Sequence, residues 1–173
     1  IANNAKADLF ISIHTNALPK GKITFGAETY TLGMARADEN LEVAKKENSV
    51  ILMEDGDKHT YKGCNPNAPE SYIILEFSQD KNMSQSINFA KKIQQQFKRA
   101  GRTDKGVHQA GFLVLRETAM PSVLVELGYI STPKEESFLN SSDGTSKMAN
   151  SIFQAFNEYR KNHESTEPNP DKV

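Results

Sequence analysis

The sequence predicts an α/β domain, a mostly parallel sheet flanked by helices, and three observations carry that prediction. Residues 7 to 17, ADLFISIHTNA, form a near-continuous apolar run through Leu9, Phe10, Ile11 and Ile13, broken only by the small Ser12. A strand covered on both faces reads this way. GFLVL (111 to 115) and PSVLVELGYI (121 to 130) are further short apolar runs bounded by Gly or Pro, the pattern of central strands. Between these runs lies MSQSINFAKKIQQQFKRAG, with Ile87, Ala90, Ile93 and Phe97 at helical spacing and Gly101 as the stop.

The other elements follow in order. ALPKGKITFG reads as a loop, and AETYTLG is a strand rich in β-formers. Residues 37 to 54 place Leu41, Val43, Ala44, Val50, Ile51 and Met53 in a helix that breaks near Asn48. DGDKHTYKGCNPNAPES, 55 to 71, is an irregular connection longer than most in a compact domain, and a second helical stretch starts from Pro69. Thr132 before Pro133, with Glu135 three residues after Thr132, reads as a capping box opening a short helix through Phe138. A last helix, about 145 to 161, is expected to bury Met148, Ile152, Phe153 and Phe156, and residues 163 to 173 form a disordered polar tail. Four strands near 8 to 14, 27 to 32, 111 to 115 and 122 to 127 should make the sheet.

Composition narrows the function. The chain has 173 residues, 37% hydrophobic and 25% charged, enough apolar material for one core. The 21 basic and 22 acidic residues are mixed along the chain, for a formal net charge of -1. Neither nucleic acid nor an anionic membrane is an expected partner. No apolar stretch approaches spanning length, and the single Cys64 has no second cysteine for a disulfide or a thiolate metal site.

Chemistry centres on two residues. His14 sits where its strand should emerge, and in open α/β sheets ligands bind beyond the carboxyl ends of the strands; a packed structural histidine is the competing reading. Glu126 lies inside VLVELGY among apolar neighbours. A buried carboxylate needs a partner or a task, either an arginine such as Arg116 or a place beside His14. Together they would supply a metal ligand and a general base. A catalytic zinc takes three protein ligands, however, and His59, His108 and His163 stand in no recognised ligand spacing.

ADLFISIHTNA, followed about a hundred residues later by GFLVLRETAMPSVLVELGYISTPKEESFL, resembles the zinc-dependent N-acetylmuramoyl-L-alanine amidases of the amidase-3 type. The resemblance runs from residue 1 to about 160. It implies a peptidoglycan hydrolase that cuts the amide between N-acetylmuramic acid and L-alanine, with His14 a zinc ligand, Glu126 catalytic, and Asn16 holding either substrate or a turn. It also implies location in the periplasm or secretion to the cell envelope.

The family's first strand and glutamate-bearing helix, which supply two more zinc ligands, have no counterpart here. IANNAK reads as an entry in mid-domain, so residues 1 to 162 are expected to be an N-terminally incomplete catalytic domain. A sheet edge left exposed there invites self-association. The stretch from about 45 to 82 resembles the insertion that covers the zinc in activator-dependent members, making Glu47, Glu54, Glu70 and Glu76 candidates for an autoinhibitory plug. An inactive, wall-binding or regulatory relative is the alternative.

Overall fold

The computed structural model describes residues 1–19, 21–34, 38–49 and 82–164. In chain order the elements are β1 (Phe10–Asn16), β2 (Ala27–Leu32), α1 (Asp38–Ser49), α2 (Met83–Arg99), β3 (Asp104–Ala110), α3 (Leu113–Arg116), β4 (Ser122–Tyr129), α4 (Pro133–Leu139) and α5 (Ser142–Glu164). The sheet order is β1-β4-β2-β3. β1 runs parallel to β4 and β2 parallel to β3, while β2 and β4 are antiparallel. The mostly parallel α/β sheet is therefore present, with one antiparallel seam at its centre.

Alternation along β4 divides the core. Val123 and Val125 join Ala27, Phe89, Ala90, Ile93, Phe97, Met148 and Ala155 on the face covered by α2 and α5. Leu124 packs on the opposite face with Tyr30, Leu32, Phe112, Leu115 and Ala44 of α1. α2 ends as Gly101 predicts. Its backbone adopts φ +81°, and Gly101 and Arg102 donate to the carbonyls of Lys98 and Phe97. That paired geometry closes a helix through a left-handed glycine.

Four expectations are corrected. Residues 111 to 115 are not a strand: Phe112 caps the short α3, and the sheet's remaining strand is the preceding DKGVHQA. This edge strand needs few apolar residues because only part of it is covered, and it carries His108. β1 is not covered on both faces. It is also an edge, and Ile13 is 55% exposed. Phe153 is 57% exposed, while Ala155 and Tyr159 take inward positions on α5 beside Met148.

The capping box does not form either. Thr132 makes no side-chain cap bond. Its hydroxyl instead accepts from Thr24 N, and Glu135 turns to Arg102. The irregular 55 to 71 connection, the helical stretch from Pro69 to 80, and the tail beyond 164 lie outside the described residues.

Candidate metal centre

The site is built from strand register. His14 on β1 is aligned with Glu126 on β4, and Glu126 in turn with Glu28 on β2. Three neighbouring strands thus send one side chain each to the same face, the one that also carries Leu124 and Tyr30 and is roofed by α1. After His14 the register slips: Asn16 is aligned with Tyr129, so β4 advances three residues while β1 advances two. Such a bulge ends regular pairing at the rim of a site.

α1 adds a fourth group. Glu47, in its last turn, places Oε2 2.6 Å from His14 Nδ1. The helix is held by Asn48, whose Nδ2 donates to Gly111 O at 2.8 Å and whose Oδ1 accepts from Leu113 N at 2.9 Å. On the other side of the imidazole, Nε2 lies 3.0 Å from Ser12 Oγ. The carboxylate bound to its ring holds the His14 pKa above the ordinary histidine value, against burial, which lowers it.

Glu126 is fully buried, and neither carboxylate oxygen finds a hydrogen-bond partner among the described residues. Burial first, and then the negative charge of Glu47, push its pKa up to about 8. Arg116 does not reach it; that guanidinium pairs with Glu117 at 2.9 Å. Ligand atoms of His14, Glu47 and Glu126 all lie within 4.8 Å of one another. One imidazole and two carboxylates, one of them orphaned, are a donor set that suits a divalent cation.

Next to this cluster sits a satisfied carboxylate. Glu28 accepts from Tyr129 Oη at 2.6 Å and from Asn16 Nδ2 at 3.3 Å, and lies 3.8 Å from His108 Nε2. It ties together the ends of the two strands that carry His14 and Glu126. Burial and this carboxylate push the Tyr129 phenol well above its usual range, so it stays a donor.

Of the residues expected from sequence, His14, Glu126 and Glu47 come together. Asn16 lies beside them with its amide engaged by Glu28 and by Ala17 N. Glu54, Glu70 and Glu76, with His59 and Cys64, lie outside the described residues. Sequence reading missed Ser12 and Glu28. Their signals were available: a hydroxyl two residues before a candidate ligand on the same strand face, and a lone charge inside the β-forming AETYTL.

His14 and the orphaned Glu126, aligned on neighbouring parallel strands beneath a helix that contributes a second carboxylate, form a group that could hold a metal ion. Residues 1–158 match the Amidase_3 family, N-acetylmuramoyl-L-alanine amidase, and the chain belongs to that family. It is 27% identical over 167 residues to the N-acetylmuramoyl-L-alanine amidase AmiC of Escherichia coli O6:H1, covering 91% of this chain and 37% of that protein. An N-acetylmuramoyl-L-alanine amidase from Clostridium difficile 630 superposes with a TM-score of 0.59 at 24% identity, over 92% of this chain and 61% of that one. The CwlD amidase from Clostridioides difficile, solved in complex with the GerS lipoprotein, gives a TM-score of 0.58 at 22% identity, over 91% and 57%. The chain thus spans 37–61% of the length of these relatives.

Proposed function

We propose that this chain carries the catalytic face of a peptidoglycan amidase, cutting the bond between the lactyl group of N-acetylmuramic acid and L-alanine of the stem peptide. The observation that carries the reading is the register pairing of His14 with an orphaned, fully buried Glu126 in a chain of the N-acetylmuramoyl-L-alanine amidase family.

His14 would hold the cation through Nδ1, the ring nitrogen that faces Glu47. Zinc is the metal this donor set and family favour, and when bound it supplies Lewis acidity to the scissile carbonyl and to the attacking water. Glu126 is the general base. It takes the proton of the attacking water and passes it to the amide nitrogen, which leaves as the free amine of L-alanine while the new C–O bond completes the lactyl carboxylate. The full burial of Glu126 also keeps bulk water from competing for that proton.

Glu47 is the plug. Its carboxylate occupies the position next to His14 Nδ1 that the reaction needs open, so the helix bearing it has to withdraw before substrate enters. The 45–82 stretch is then the segment on which an activator acts, within a catalytic domain spanning 1–162; CwlD, captured with a lipoprotein partner, offers a parallel. An enzyme with this substrate works in the periplasm or at the outer cell surface. No helix among the described residues is long and apolar enough to cross a membrane.

The test is release of stem peptides from purified peptidoglycan by the full-length protein and its Glu126→Ala variant. Loss of release with retained folding is expected; undiminished release would remove Glu126 from the mechanism.

A further inference from the structure

We propose that Ser12 is the residue that orients the His14 ring for its cation, a positioning residue for the metal centre. The inference rests on the reading of His14 Nδ1 as a metal donor.

The geometry begins in strand parity. Residues two apart on β1 project from the same face, so Ser12 and His14 stand side by side on the face roofed by α1. Both ring nitrogens are engaged: Nε2 lies 3.0 Å from Ser12 Oγ, and Nδ1 lies 2.6 Å from Glu47 Oε2. An imidazole held at only one nitrogen would be free to turn its ring and exchange which nitrogen faces Glu47. Held at Nε2 by Ser12, it keeps Nδ1 toward the Glu47 carboxylate.

The residue type fits the task. Ser12 interrupts Leu9, Phe10, Ile11 and Ile13, in a strand where a β-branched apolar residue would serve propensity better. A hydroxyl can both donate and accept. It donates to Nε2 while Nδ1–H points at Glu47, and it accepts from Nε2–H once Nδ1 is committed to a cation. The same contact therefore survives when Nδ1 gives up its bond to Glu47 for a cation. Alanine or valine could not follow that change. Partners of this kind, bonded to the far nitrogen of a ligating histidine, typically govern metal affinity by about 10- to 100-fold.

The experiment titrates the chain with Co²⁺, a spectroscopic stand-in for zinc, beside Ser12→Ala, Ser12→Thr and His14→Ala. The ¹⁵N resonances of the His14 ring are recorded for the metal-free proteins. Ser12→Ala should weaken Co²⁺ binding by about 10-fold or more and move the Nε2 resonance, and Ser12→Thr should restore both. Ser12→Ala binding Co²⁺ as the unaltered chain does, with His14→Ala not binding, would overturn the role of Ser12 and leave the metal reading intact. If the unaltered chain binds no Co²⁺ yet Nε2 still responds to Ser12→Ala, the metal reading of this chain fails while the orienting contact stands. An unresponsive Nε2 without Co²⁺ binding would overturn both.

Discussion

Two buried glutamates, nine positions apart in sequence, show how differently this fold treats the same side chain. Glu135, at the start of α4, is 3% exposed and fully engaged. It accepts from Arg102 Nη1 at 2.8 Å and Nη2 at 2.6 Å, and from the backbone N–H groups of Gly26 and Tyr129. Gly128 permits that approach, since a Cβ there would lie 2.4 Å from Glu135 Oε2. Glu126, on the strand just before, is more deeply buried and has no hydrogen-bond partner among the described residues. Burial costs a carboxylate several kcal/mol unless it is offset. At Glu135 the offset is internal to the protein. At Glu126 no hydrogen bond among the described residues supplies it, and burial instead pushes the carboxyl toward its neutral form.

Breaking the comparison at Glu126 should have the largest effect, and on activity alone. Glu126→Gln keeps the shape and removes the proposed base, so if that role holds, hydrolysis of peptidoglycan should fall by about 10²- to 10⁴-fold, with thermal unfolding unchanged or raised. A fall in stability of several degrees would mean that Glu126 is structural after all.

At Glu135 the effect should be on stability. Arg102→Ala strips the carboxylate of its guanidinium partner and removes the stacking of that group 4.5 Å over Phe138. Unpairing a buried ion pair costs about 3–5 kcal/mol, read as a lower denaturant midpoint. A variant as stable as the unaltered protein would show that Glu135 is not an anchor.

The acid–base behaviour sharpens the contrast further. In the metal-free protein Glu126 is pushed up to about 8 from an ordinary 4.5, so the folded state holds this proton more tightly than the unfolded chain. Stability from this group is complete below about pH 4.5 and declines as pH rises through 8, by at most about 1.4 kcal/mol per pH unit. His14, raised by Glu47, adds a decline of the same sign above its unfolded value. Denaturant unfolding measured from pH 5 to 8 should show this fall, and Glu126→Gln should flatten it. An identical slope in the variant would contradict the assignment.

How much of this was legible follows from what each signal depends on. β4 was readable because burial writes an apolar run, β1 showed a similar run although it lies at the sheet edge, and His14 and Glu126 stood out against them. β3 was not, since an edge strand reading DKGVHQA needs little apolar content. GFLVL looked like a strand because a one-turn helix buried on one side has no room to display its period. Glu135 was misread because a capping box and a long-range ion pair use the same residue, and Arg102 is 33 positions away. Glu47 could be placed among four glutamates but not singled out, because only the packing of α1 brings one of them to His14.

That packing offers the last and smallest test. Asn48, adjacent to Glu47, bonds Gly111 O and Leu113 N through both ends of its amide and is 3% exposed. Asn48→Ala leaves two backbone groups without their partner and should cost about 1–3 kcal/mol. The loss should be local, because besides this contact α1 is joined to the rest of the fold by the apolar patch around Ala44, the Glu47–His14 pair and the Lys46 bond to Ala17 O. Amide exchange should therefore quicken across Asp38–Ser49 and stay slow in α4, where Glu135 remains bound. If both helices loosened together, the plug and the anchor would belong to one cooperative unit, and withdrawal of Glu47 would require opening the domain. Selective loosening of α1 would instead give the site a hinged carboxylate, held near His14 by contacts weaker than those that keep Glu135 in place.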